Sequence, residues 1–136
     1  KIADREGDFN GTLRNDDRFG SALANVKDLN GDGVPDLAVG APNDDDGADN
    51  AGAVWLLLMT TDGTVDGWQK VSRRAGEFNG NLDADDKFGA AITGLGNLDN
   101  SNIDDIAVGT PGNDDGGQDQ GAVWVLFMDI TSQVTP

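Results

Sequence analysis

The sequence contains no cysteine and no histidine. Their absence removes disulfides, thiol nucleophiles, zinc sites built on those ligands, and histidine acid–base catalysis together. Cations are scarce too: 9 Lys+Arg stand against 25 Asp+Glu, a formal charge of −16 over 136 residues. No basic patch is large enough to hold a phosphate backbone, so nucleic acid is not an expected partner. No apolar run approaches the roughly 20 residues of a membrane span, and no signal peptide is visible. The chain opens on Lys1 rather than Met, the mark of a processed or excised piece.

What is present is glycine, 20 residues of it, crowded with Asp and Asn into turn-forming stretches. Between them lie apolar runs such as "AVWLLLM" (Ala53–Met59) and "AVWVLFM" (Ala122–Met128), which argue against disorder. Strong negative charge on a folded chain is tolerable where cations neutralise part of it.

The chain is a duplication. "KIADREGDFNGTLRNDDRFGSA" (Lys1–Ala22) aligns with "KVSRRAGEFNGNLDADDKFGAA" (Lys70–Ala91), "DLAVGAP" with "DIAVGTP", and "GAVWLLLM" with "GAVWVLFM". Every pair keeps the offset that carries Lys1 onto Lys70, without a gap, and 28 of the 67 paired positions are identical. That ungapped identity sets two units, 1–69 and 70–136.

Local signals within each unit are β. "DLAVGA" and "AVWLLLM" are short apolar runs bounded by Gly, Pro and Asp, as buried strands are. "FGSALANV" (Phe19–Val26) and "FGAAITGL" (Phe88–Leu95) have a composition that short helices could share, but the leading Gly and nearby turn residues favour strands. "GWQKVSR" (Gly67–Arg73) alternates and suits a more exposed edge strand. Four short strands per unit cannot bury both faces alone, so neighbours must stack. The expected class is all-β: two four-stranded antiparallel β-propeller blades. A plain two-sheet sandwich leaves the constant repeat spacing unexplained.

One loop carries chemistry. In "DLNGDGVPD" (Asp28–Asp36), Asp28, Asn30, Asp32 and Asp36 offer side-chain oxygens at positions 1, 3, 5 and 9, and Val34 offers a carbonyl at position 7. Gly31 and Gly33 let the chain curl so that these oxygens converge. An all-oxygen set with several carboxylates points to a hard cation, calcium before magnesium. An EF-hand would need a bidentate Glu at position 12; Val39 stands there, inside an expected strand. The other reading is a plain Asp/Asn/Gly turn, but three convergent carboxylates would repel one another without a cation. The duplicate, "NLDNSNIDD", keeps donors at Asn97, Asp99, Ser101 and Asp105, with Ile103 for the carbonyl. It has lost carboxylates at positions 1 and 5 and both glycines, so weaker binding or a vacated turn is expected.

Phe19–Gly20, this loop, "DLAVGAP" and "GAVW" in that order resemble the FG-GAP repeat, the blade unit of integrin α-subunit propellers and of many bacterial surface proteins. The resemblance spans the whole chain once per unit; Gly109-Thr110-Pro111 departs from Gly-Ala-Pro in the second. It implies that the calcium loop joins the first two strands of a blade on one face. The loops at 42–52, 111–121 and 73–87 would lie on the opposite face, where a protein or glycan ligand would bind, and Asp44–Asp46 could hold surface cations loosely. Trp55 and Trp124 read as core, leaving Trp68 as the aromatic available to a sugar.

Two blades do not close a ring of four to eight. Lys1 corresponds to Lys70, so the N-terminus reads as the outer strand of a neighbouring blade, and Pro136 corresponds to Gly67, so blade 2 lacks its own. Three or four copies of a homo-oligomer would give six or eight blades; otherwise the chain is part of a longer array. The expected function is a non-catalytic, calcium-stabilised module for recognition or adhesion, extracellular or on the cell surface. The alternatives are a structural repeat or propeller fragment that self-assembles by strand exchange with no ligand of its own, or the accessory propeller of a secreted enzyme.

Overall fold

The computed structural model describes residues 1–128; the expected end of the second unit, at 129–136, lies outside them. Among the described residues all seven elements are strands: β1 (Ala22–Asn25), β2 (Leu37–Ala41), β3 (Ala53–Met59), β4 (Val65–Ser72), β5 (Ala91–Gly96), β6 (Asp105–Thr110) and β7 (Ala122–Leu126). They form two antiparallel sheets with strands in chain order, β1-β2-β3-β4 and β5-β6-β7. The fold is all-β, and these sheets have the form of propeller blades.

The registers repeat as faithfully as the sequence. Ala22 pairs with Gly40 and Gly40 with Val54; one repeat on, Ala91 pairs with Gly109 and Gly109 with Val123. Strands paired in this way divide each sheet into two faces. One face of the first sheet carries Ala38, Val54, Leu56 and Val71, and the other carries Val39, Leu57 and Trp55.

Each face has its own cover. The Val39–Trp55 face is sealed by the segment before β1, where Phe9 packs edge-on to Trp55 and stacks with Phe19. The opposite face, with Val54 and Leu56, is sealed by the second unit through Leu82, Phe88, Ile106 and Val108. Burying one such side chain contributes about 1.5–3 kcal/mol, so the join between units holds a main share of the core.

The join is close because glycines permit it. A Cβ at Gly40 would collide with the Gly89 carbonyl oxygen, and one at Gly52 with the Phe88 carbonyl. Backbone bonds run across it, from Asp85 N to Asp49 O (2.8 Å) and from Phe88 N to Ala51 O (2.9 Å). Lys27 Nζ also meets Asp104 Oδ1 at 2.7 Å.

The sequence reading starts β1 too early, at Phe19 instead of Ala22, because Arg18 and Gly20 sit at positive φ and hold the Phe-Gly pair in a turn. Trp68 also differs from expectation. It is not a free platform: it packs on Trp55 with centroids 4.9 Å apart, and its Nε1 donates to Asn10 Oδ1 at 2.6 Å.

Candidate metal loops and their relatives

The loop at 28–36 joins β1 to β2 and is held by its own carboxylates. Asp28 Oδ1 accepts from the amides of Gly31 (2.7 Å) and Asp32 (3.1 Å), and Oδ2 from Gly33 (2.8 Å). Those bonds, Gly33 foremost and against a smaller effect of burial, hold the Asp28 carboxyl below its ordinary range. Asp32 Oδ1 accepts from Val34 N at 2.7 Å, and Asn30 bridges to Asp32 through Nδ2 at 2.9 Å. Gly31 and Gly33 take φ of 79° and 89°, which L side chains resist.

Asp36 is buried at the base of the loop. Its Oδ2 accepts from Leu29 N (2.7 Å) and its Oδ1 from Met59 N (2.8 Å), so it ties the loop to the end of β3. Burial pushes its carboxyl up, the two amides oppose that, and the neighbouring charges of Asp32 and Asp28 push it up further. Lys27, the nearest cation in sequence, is turned instead toward Asp104.

The second loop, between β5 and β6, repeats this clamp. Asp105 Oδ2 accepts from Leu98 N (2.7 Å) and Oδ1 from Met128 N (3.0 Å). Asn100 and Asn102 stand in for the two glycines at φ of 65° and 75°. Asn tolerates the left-handed region better than other side chains, so losing the glycines did not change the turn. Ser101 occupies the position of Asp32, and its N–H donates to Asp99 Oδ1 at 2.9 Å. Asn97 stands at the position of Asp28 without the carboxylate that gathers the loop amides there, and Ile103 is buried with its carbonyl accepting from Ser101 Oγ at 3.4 Å.

The residues named from sequence therefore lie in one loop per sheet, at equivalent places. Among the described residues, no three carboxylates already stand together as a metal-holding group. Asp28, Asn30 and Asp32 point their oxygens at loop amides, while Asp36 serves first as a clamp.

The opposite end of the first sheet holds a polar network that composition alone did not reveal. Lys70 Nζ pairs with Asp44 Oδ1 at 2.8 Å and reaches Asp46 at 3.5 Å, while Ser72 Oγ donates to Asp46 Oδ2 at 2.6 Å. Burial works against the Asp46 charge, but Ser72 and Lys70 outweigh it and hold its carboxyl below the ordinary range. Asp44 is buried and paired, so Asp44–Asp46 is not the loose surface site its run of charge suggests. Buried Asp17 accepts from Arg14 N at 2.7 Å, and desolvation pushes its carboxyl up. Asp86 Oδ2 accepts from Asp83 N at 3.0 Å in the equivalent place. The signal for this pair was the Asp-Asp preceding both Phe-Gly motifs.

Comparison with known proteins follows this geometry. Residues 19–57 match the FG-GAP repeat family. Integrin alpha-PS5 of Drosophila melanogaster is 36% identical over 99 residues, 70% of this chain and 9% of that protein. Integrin alpha-11 of Homo sapiens is 36% identical over 110 residues, 77% of this chain and 9% of that protein. Integrin alpha-6 of Gallus gallus is 38% identical over 102 residues, 75% of this chain and 8% of that protein. The chain spans less than a tenth of the length of these relatives. Residues 19–57 are thus an FG-GAP repeat, and the same segment is duplicated in the second unit.

Proposed function

We propose that this chain is a two-blade unit, 1–69 and 70–136, of a non-catalytic recognition or adhesion propeller. It acts outside the cell or on its surface, with calcium as a structural ion. The similarity to integrin α subunits supports the adhesive reading. No helix among the described residues is long and apolar enough to cross a membrane.

The observation that carries the calcium reading is the electrostatics of the first loop. Burial raises the cost of ionising Asp36, the charges of Asp32 and Asp28 add to it, and Lys27 beside them is engaged with Asp104. The donors are all oxygen, as a hard divalent cation requires. Asp28, Asn30, Asp32, the Val34 carbonyl and Asp36 would hold the ion, and it would supply charge neutralisation and a tie between β1 and β2. In the second loop Asn97, Asp99, Ser101, Ile103 and Asp105 offer fewer charges and would hold it more weakly. The carboxyls pushed upward, Asp17 and Asp36, are each bonded to backbone amides, which favours a structural role over acid–base chemistry.

A cation bound to the folded state at 100 times its Kd adds about 2.7 kcal/mol. Millimolar calcium is expected to raise Tm by several degrees over chelator, and Asp28→Ala is expected to abolish that rise. An unchanged Tm in the wild-type chain would overturn the structural ion.

A further inference from the structure

Glycine follows asparagine at three places, Asn10–Gly11, Asn30–Gly31 and Asn79–Gly80. Asparagine is a labile side chain, and it is most labile before glycine, where no Cβ shields the next backbone amide from the carboxamide. The local sequences are alike: Phe9, Leu29 and Phe78 precede the three pairs, and Thr12, Asp32 and Asn81 follow them. The fold holds the three pairs in different ways.

Asn10 and Asn79 occupy equivalent positions one repeat apart, and aromatic rings pin both. Asn10 Oδ1 accepts from Trp68 Nε1 at 2.6 Å, and a Cβ on buried Gly11 would run into the Phe9 and Trp55 rings. Gly80 lies against the Phe78 and Trp124 rings in the same way. Gly31, by contrast, has no atom within 4 Å of where a Cβ would stand, and Asn30, Gly31, Asp32 and Gly33 are all exposed. Among the described residues the Asn30 carboxamide bonds to Asp32 alone, accepting from its N at 3.1 Å and donating to its Oδ2 at 2.9 Å. The Gly31 amide donates to Asp28 Oδ1 at 2.7 Å. All of these bonds lie within one exposed turn, so they can break together without unpacking an apolar side chain. Openings of this kind are the least costly in a folded chain.

We propose that Asn30 is a deamidation site, with water as the co-reactant. In the opened turn the Gly31 nitrogen bonds to Asn30 Cγ, and the side-chain nitrogen leaves as ammonia, taking up the proton that the Gly31 nitrogen loses. Water then adds across one of the two carbonyl–nitrogen bonds of the five-membered imide. One opening leaves an aspartate side chain on an intact main chain; the other runs the main chain through the side-chain carbon as an isoaspartyl link. Either product brings a carboxylate to where a neutral amide now donates to Asp32, so Asp32 loses a donor and gains a like charge. The loop that holds Asp28, Asp32 and Asp36 thereby acquires a further carboxylate, and its need for a cation grows as the chain ages. The site follows from the exposure of the turn and stands without calcium; the effect of calcium on it rests on the proposed structural ion.

Tryptic mass mapping tests it, after the 136-residue chain is held in chelator at mildly alkaline pH and at a temperature where circular dichroism shows it folded. Cleavage after Lys and Arg puts the three pairs in separate peptides, Glu6–Arg14, Asp28–Lys70 and Ala75–Lys87. The mass gain of deamidation is expected in Asp28–Lys70, placed at Asn30 by the fragment ions, about ten-fold faster or more than in the other two. In strong urea, where all three turns are lost, the three rates are expected to converge. Asn30→Gln, whose longer side chain closes a ring far less readily, is expected to keep the wild-type circular dichroism and remove the gain from that peptide. Millimolar calcium is expected to slow the reaction at Asn30 several-fold by holding the turn shut, and to leave Asn10 and Asn79 unchanged. Comparable rates at the three pairs in the folded chain overturn the proposal. So does a gain at Asn43 or Asn50 in place of Asn30, or a preference for Asn30 that persists in urea. Selective reaction at Asn30 that calcium does not slow upholds the site and counts against the structural ion.

Discussion

Asp36 and Asp105 show how a side chain read as an oxygen donor can also hold the backbone together. Position 9 of the loop was legible as an oxygen donor, yet both carboxylates are buried and each satisfies two amides from separate segments. Leaving a buried amide without its partner costs about 1–3 kcal/mol. With two amides orphaned, Asp36→Ala is expected to destabilise the chain by about 2–6 kcal/mol with or without calcium, read as a lower urea midpoint. A loss confined to calcium-containing buffer would show Asp36 to be a ligand only. Asp17 gives a prediction in pH. Its folded carboxyl keeps a proton to higher pH than the unfolded chain, whose ordinary value is 3.8. Stability from this group therefore falls as pH rises through the folded value, and its ionised form is a burden at neutral pH. Asp17→Asn, which can still accept from Arg14 N, is expected to raise Tm at neutral pH, with the advantage shrinking as pH approaches 3.8. A lower Tm at neutral pH would show that the charge is held by Lys70 rather than tolerated.

At the scale of elements, the strands follow from short apolar runs bounded by turn residues, and their order follows from the turns. What sets their spacing across units is the absence of side chains at Gly40 and Gly52. Gly40→Ala is expected to cost several kcal/mol, because the obstructing group is the Gly89 backbone and cannot swing aside. Thermal unfolding beside Gly109→Ala makes the comparison internal: the same change at the equivalent place is expected to leave the single chain's Tm nearly unaltered. Equal losses at both sites would place the requirement in strand conformation instead of close approach. The turn at 97–105 teaches a related lesson, since Asn100 and Asn102 keep a backbone path that seemed to need Gly.

For the whole molecule, charge and hydrophobic surface pull in opposite directions. A formal −16 favours separation of copies, while the Val123–Val125–Phe127 face favours association. Screening by salt and neutralisation by bound cations both weaken the first without touching the second. A strongly acidic repeat with exposed apolar side chains is thus suited to a medium rich in salt, as the proposed extracellular setting would be.

The duplication, the all-β class, the loop that joins β1 to β2 and the family were all legible along the chain. They depend on period, spacing and residue type, which are written locally. Packing alone settles that Asp36 is a clamp, that Asp44 belongs to Lys70, and that Trp68 is packed away on Trp55. It also gives identical positions in the two units opposite fates, Val54 inside and Val123 outside. Burial is a property of what lies across a surface, and a repeat that reads the same twice cannot say which copy has a neighbour.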